Sequence, residues 1–153
     1  MNYPFLSAVL LSISLAACNS NQTIEELATE QATEVEVSNV NKLVHAQWQL
    51  VQLNGQAAEK GEGGKPIFLR FNAEKSQANG FSGCNNYFGQ YSADEQSLNF
   101  SHFAMTRKFC KNAMALEGRY AKAMATVAGY QFNESQLQLL DKQGSIVAEF
   151  SRD

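Results

Sequence analysis

The chain has 153 residues, with 12 Lys+Arg against 15 Asp+Glu for a formal net charge of −3, and it is 44% hydrophobic and 18% charged. This composition excludes a disordered or collagen-like chain, a strongly basic nucleic-acid binder and a multi-domain assembly, and leaves one domain of ordinary size. The charge is unevenly laid out: residues 19–41 hold five acids and no Lys or Arg (−5), whereas residues 42–153 hold all 12 basic residues against 10 acids (+2).

The first 17 residues contain no Asp, Glu, Lys or Arg. Residues 5–17 read FLSAVLLSISLAA, shorter than the about 20 apolar residues of a spanning helix and in keeping with a secretory h-region. The run ends in Leu15-Ala16-Ala17-Cys18. Small residues suit a peptidase cleft, and the Cys supplies a thiol that can be alkylated. Position, apolar run and tetrapeptide together resemble the bacterial lipobox. The resemblance implies a lipoprotein signal peptide over residues 1–17, a diacylglycerol thioether on Cys18 and an acyl chain such as palmitate on its amine. Each buried CH₂ contributes about 0.8 kcal/mol and stable anchoring takes more than one chain, so three chains hold a protein on a membrane without a transmembrane helix. One departure is the n-region Met1-Asn2-Tyr3-Pro4, which lacks Lys and Arg. Asn19 stands where, in the sorting pattern this resembles, Asp favours retention at the inner membrane. The expected location is the bacterial cell envelope, lipid-anchored at the outer membrane and facing the periplasm.

Residues 18–42 follow as the lipidated Cys and an acidic tether. Their polar, aromatic-free composition buries too little surface to offset ordering entropy. A flexible chain of this length has an r.m.s. reach of roughly 25–30 Å. Thr23 and Glu26 form a capping-box pattern for one short helix through Ala32.

From residue 43 the texture changes to that of a folded domain. Residues 48–53 alternate apolar and polar at most positions and stop at Asn54-Gly55, a strand entering a turn. Residues 60–66 are Gly-rich but lack the Gly-Lys-Ser/Thr ending and the following helix of a phosphate loop, so a mobile hairpin loop is expected. Further strands are predicted over 67–71, 77–82, 87–91 and 97–101. A helix is predicted over 111–127, with Leu116, Tyr120, Met124 and Val127 on one face, Glu117, Arg119 and Lys122 on others, and Gly129 as its stop. Strands over 130–132, 136–140 and 146–150 follow, the last two alternating like a closing hairpin. The sum is an α+β domain: an antiparallel sheet with one helix packed on it.

Several of these residues carry a family resemblance. Trp48-x-Leu50 opens the domain, followed by Gly83-Cys84-Asn85-x-Tyr87-x-Gly89-x-Tyr91, Thr106-x-x-x-Cys110, Glu117-x-x-Tyr120, Leu137-x-Leu139 and Phe150. In this order the block over residues 43–153 resembles the META/HslJ domain. Phe109, where a small residue is common, and Gly118 are departures. The resemblance implies a compact, strongly curved antiparallel sheet carrying a helix. It also implies a link to heat-shock and envelope-stress lipoproteins with no established enzymatic activity.

With Cys18 lipidated, Cys84 and Cys110 remain, and an oxidising compartment favours a disulfide between them. Two buried thiols and a redox pair are the rivals, the last because Cys110 precedes a helix start. Gly83, Asn85 and Gly89 suit a tight turn or bulge, with Asn85 bonding neighbouring backbone; Tyr87 and Thr106 complete this structural motif. Residues 81–109 hold seven aromatics. They read first as core filling, and more sharply as a docking patch of Phe88, Tyr91 and Phe103 beside the cations Arg107, Lys108 and Lys111.

No metal is expected, since Cys84, His102 and Cys110 lack paired zinc spacings, and no cofactor is implied. A Cys84/His102 nucleophile has no local support, and no paired acids point to glycoside hydrolysis. The expected function is a non-catalytic envelope lipoprotein, a monomer, that binds a protein or envelope ligand under stress and no nucleic acid. The alternatives are a thiol–disulfide redox protein using Cys84 and Cys110, or an inhibitor of an envelope hydrolase acting through residues 61–64.

Overall fold

The computed structural model describes residues 38–153. The expected signal peptide, Cys18, the helix expected over 23–32 and the tether as far as residue 37 lie outside the described residues. No described helix is long and apolar enough to cross a membrane.

The described chain opens with a short helix, α1 (Asn39–Val44), capped by Ser38, whose Oγ accepts from the Asn41 N–H at 3.4 Å. Composition assigns residues 38–42 to the tether, but the structure ties them to the domain. Leu43 is fully buried, and its carbonyl accepts from the Trp48 indole at 2.9 Å. Asn39 bonds Glu95 through both its backbone and side-chain N–H groups, at 3.2 Å each. A single apolar anchor and a cap thus draw a polar segment onto the fold.

The strands are β1 (Gln47–Leu53), β2 (Gln56–Ala57), β3 (Phe68–Asn72), β4 (Gln77–Phe81), β5 (Asn86–Ala93), β6 (Leu98–Met105), β7 (Val127–Asn133), β8 (Gln136–Asp141) and β9 (Ile146–Arg152). They form one antiparallel sheet in the order β6-β5-β4-β3-β1-β9-β8-β7, with β2 paired to β1. Two meanders, β3–β6 and β7–β9, therefore flank β1. The sheet curls until its end strands touch at the Ser97–Gly129 bridge, where the Tyr130 N–H donates to the Gln96 carbonyl at 3.0 Å. Side-chain alternation decides which face is core. In β1 a bulge between Leu50 and Gln52 resets the period, so that Trp48, Leu50 and Leu53 are all buried.

The main helix, α2 (Met114–Thr126), starts three residues later than predicted. Residues 111–113 are instead a turn off Cys110, whose carbonyl accepts from the Ala113 and Met114 N–H groups at 3.0 and 3.1 Å. The helix also ends before Gly129. Val127 caps it with its N–H on the Met124 carbonyl and then enters β7 directly. Leu116, Tyr120 and Met124 are buried against the sheet. Glu117, placed on another face by periodicity, is buried with them at 7% exposure, because polar partners from a distant turn meet it.

Candidate functional site

The turn between β4 and β5 is built for close approach. Gly83 has φ +115°, a conformation L side chains rarely adopt, and its carbonyl accepts from the Glu62 N–H at 2.6 Å. A Cβ on Gly61 would lie 2.2 Å from that carbonyl oxygen, so only glycine lets the two backbones meet. Residues 61–64 are consequently not the mobile loop expected from their composition. They form a 3₁₀ turn over Glu62–Gly64 that is pinned to Gly83.

Asn85, 2% exposed, uses every donor and acceptor of its amide. Its Oδ1 accepts from Thr106 Oγ1 and from the Lys108 N–H, both at 2.7 Å. Its Nδ2 donates to Glu117 Oε1 at 2.8 Å and to the Lys108 carbonyl at 3.2 Å. Glu117 Oε2 in turn accepts from Ser82 Oγ at 2.6 Å and the Asn85 N–H at 2.7 Å. Burial pushes the Glu117 carboxyl up, but the donors on Ser82, Asn85 and the Cys84 backbone outweigh it and leave its pKa below the ordinary value. Cys84 and Cys110, both buried, are bonded with their Cα atoms 5.8 Å apart. The segment 106–110 is thus held at alternate residues, by Thr106, by the Lys108 backbone and by Cys110, while Arg107 and Phe109 lie between the holds and are exposed.

The predicted motif residues separate into two groups. Gly83, Asn85 and Thr106 meet in this polar junction. Tyr87 lies further along β5 in the core, with its OH 2.7 Å from Tyr120 OH and donating to the Phe68 carbonyl at 3.1 Å. Burial first, then the neighbouring Tyr120, raises the Tyr87 pKa well above its ordinary value. Gly89 faces the β5–β6 bulge, where a Cβ would come 2.9 Å from the Ser101 carbonyl oxygen.

The expected aromatic patch does not form one surface. Tyr91 packs edge-on against Phe71 with ring centroids 4.9 Å apart, and Phe103 contacts Tyr87 and Phe100 at 5.5 and 5.3 Å, so both line the core. Phe88 alternates with the buried Tyr87 and is 58% exposed on the opposite face. Arg107 and Lys108 instead stand beside Phe109, 82% exposed, and Met114, 37% exposed, along a groove of about 650 Å³ whose inner wall includes Phe103 and Met105.

Sequence reading missed Ser82, Glu117 and Phe109 as parts of this site. Glu117 stood in the sequence only within the Glu117-x-x-Tyr120 pattern, and helical periodicity gave no sign of its partners on the β4–β5 turn. Among the described residues no group of three or more His, Cys, Asp or Glu side chains comes together to hold a metal ion.

A curled antiparallel sheet with one main helix, stitched by a buried Asn–Glu junction and a disulfide, defines a small α+β domain class. The chain belongs to the META domain family, whose pattern matches residues 41–153. No curated protein matches it. Among solved structures it is similar to a protein from Burkholderia xenovorans determined by NMR, at 26% identity and TM-score 0.56, covering 97% of this chain and 99% of that one. A second NMR structure matches at 23% identity and TM-score 0.57, covering 72% of this chain and 92% of that one. A crystal structure of a DUF4847 family protein from Bacteroides vulgatus matches at 14% identity and TM-score 0.53, covering 72% and 94%. These last two share the fold alone. The META domain is not a known catalytic family.

Proposed function

We propose that this META-domain chain is a non-catalytic lipoprotein of the cell envelope, anchored through Cys18 at the outer membrane, whose domain is a stress-related binding module for a protein or other envelope ligand. The observation that carries the reading is the segment 106–110. Its backbone is fixed from beneath by Asn85 and the disulfide, yet Phe109 stands 82% exposed, with no structural task of its own. A rigid platform under an exposed ring keeps the ordering cost of binding low. The buried polar groups beneath it are saturated by one another, so they support this platform and leave no side chain poised to react. The lipobox-like residues 15–18 support the anchor.

The test has two arms. Radiolabelled palmitate is expected on the wild type and absent from Cys18→Ser, with the label in the outer-membrane fraction. Photo-cross-linking in stressed cells, read for both protein and lipid adducts, is expected to give a product that Phe109→Ser loses. No label, or an unchanged cross-link pattern in Phe109→Ser, would sink the reading.

A second reading, inhibition of an envelope hydrolase, gains from the pinning of residues 61–64, since a preorganised exposed turn suits a protease- or glycosidase-type cleft. It predicts inhibition of a periplasmic hydrolase fraction that Gly61→Ala removes; no inhibition by the wild type ends it. Thiol–disulfide exchange has no comparable support, because both cysteines are buried. A flat insulin-reduction assay would close that route.

A further inference from the structure

We infer that the face built by Arg107, Lys108, Phe109 and Met114, with Lys111 next to it along the chain, docks on an anionic lipid surface, with Phe109 as the inserted anchor. The inference deepens the binding-module reading by naming its partner, and it rests on the envelope reading only in that a lipid anchor keeps such a surface within reach.

Charge carries the first part of the argument. Residues 96–116 contain three cations, Arg107, Lys108 and Lys111, and no acid, so they carry +3. The rest of 42–153 holds nine basic residues against all ten acids, −1. The net positive charge of the domain therefore resides on this one segment, and it polarises the domain toward a negative surface. Among the described residues none of the three cations is in an ion pair, and the one ion pair there joins Arg119 to Glu59. The next acid along the chain, Glu117, turns inward to Ser82 and Asn85 and does not offset them.

Shape carries the second part. Thr106, the Lys108 backbone and Cys110 are held against the domain, which leaves Arg107 and Phe109 outward between the holds. Phe109 is 82% exposed and Met114, on the same groove, 37%. A protruding ring among cations matches a lipid interface, where apolar side chains bury themselves at the acyl boundary while Lys and Arg meet anionic headgroups. A fluid surface accepts such a ring without a preformed pocket.

The experiment uses the full chain carrying Phe109→Trp. The natural Trp48 is buried, so its emission is a constant background and the new indole reports position 109. The chain is mixed with phosphatidylcholine vesicles with and without phosphatidylglycerol. The expected result is a blue shift of the new indole and its quenching by brominated lipid only where phosphatidylglycerol is present, reversed in roughly 1 M salt, where the Debye length is about 3 Å. Adding Arg107→Ala, Lys108→Ala and Lys111→Ala together is expected to lower insertion about a hundredfold, the fold-change that about 1 kcal/mol per surface cation gives.

An indole that stays water-exposed on phosphatidylglycerol vesicles overturns the inference and leaves an acidic protein as the partner. Equal insertion into both vesicle types overturns the role of the cations. An indole already shielded before vesicles are added assigns the face to the acidic residues 25–36 of the same chain and overturns it too. A near-UV spectrum matching the wild type shows that each variant is folded. Palmitate labelling of Cys18 is independent of all these outcomes, so a failed anchor and a failed docking face are told apart.

Discussion

Glu117, on α2, meets the turn that enters β5, and Asp94 follows the last residue of that strand; both carboxyls are held below their ordinary pKa. Asp94 does so in full solvent. Its Oδ1 accepts from the Ser97 N–H at 2.7 Å and the Gln96 N–H at 3.0 Å, and the Ser97 and Gln96 donors hold its pKa at about 2. Glu117 does so while 7% exposed, against burial as its largest opposing effect, where for Asp94 burial is the smallest. Similar hydrogen bonding therefore has different consequences. Donors stripped of Asp94 are rehydrated at once, whereas donors stripped of Glu117 stay buried. The pKa direction alone does not rank the two groups; what surrounds the donors does.

The sharpest way to break this comparison is Glu117→Ala. The Asn85 N–H and one N–H of Asn85 Nδ2 lose their acceptor, while Ser82 Oγ keeps the Asn85 carbonyl at 2.8 Å; a loss of about 2–5 kcal/mol is expected in urea unfolding, from about 1–3 kcal/mol per stranded buried donor. The pH dependence follows from the direction of the shift. The folded pKa lies below the unfolded one, so the Glu117 contribution is complete above about 4.3 and is lost as pH falls through the lowered folded value. Glu117→Gln should remove that part of the acid slope of stability.

Replacing Cys84 and Cys110 together by Ala tests the covalent half of the same junction. The cysteines are 26 residues apart, and a loop of that size predicts a loss of about 3.5 kcal/mol in the chain-entropy account. The non-reducing and reducing unfolding midpoints of the wild type should differ accordingly. Tyr120→Phe probes the neighbouring core. Tyr87 keeps its bond to the Phe68 carbonyl and loses only the 2.7 Å hydroxyl pair, so about 1 kcal/mol is expected.

The strands were legible because their signal is local. Alternation in β1, β8 and β9 and the Asn54-Gly55 turn mark element type without reference to the rest of the chain. The junction was only half legible. Gly83 and Asn85 announce a turn, but the acid that completes it lies 32 residues away from Asn85 and 35 from Ser82, beyond any periodic window. Periodicity assigned Glu117 by its neighbours on the helix, while its burial is decided by the turn it faces. The aromatic patch failed for a related reason. Tyr87 and Phe88 are adjacent on one strand, so one must point inward and the other outward. Tyr91 and Phe103 are drawn inward by Phe71 and Phe100, which the fold brings beside them. Phe109 lay outside the patch because nothing in a sequence of alternating holds is visible until Asn85 reaches Lys108.

The smallest expected effect is at Asp94, and it tests the comparison most directly. Asp94→Asn keeps the side-chain oxygen that accepts from Ser97 and Gln96 and removes only the charge. The backbone carbonyl of Asp94, which accepts from Tyr130 OH at 2.7 Å and ties the β5–β6 turn to β7, is unaffected. The urea midpoint near neutral pH should therefore move less than in any variant above. Because the folded pKa is about 2, the difference from wild type should close as pH falls from about 4 toward that value. The Tyr130 hydroxyl offers a second readout. Burial, followed by the Glu95 and Asp94 charges, raises its pKa to about 12, so removing one charge should lower its titration midpoint while burial keeps it above the ordinary 10.0. If Asp94→Asn instead destabilises the protein as much as Glu117→Ala, hydrogen bonding to the charged form decides the cost whatever the burial, and the distinction between the two ends of β5 falls.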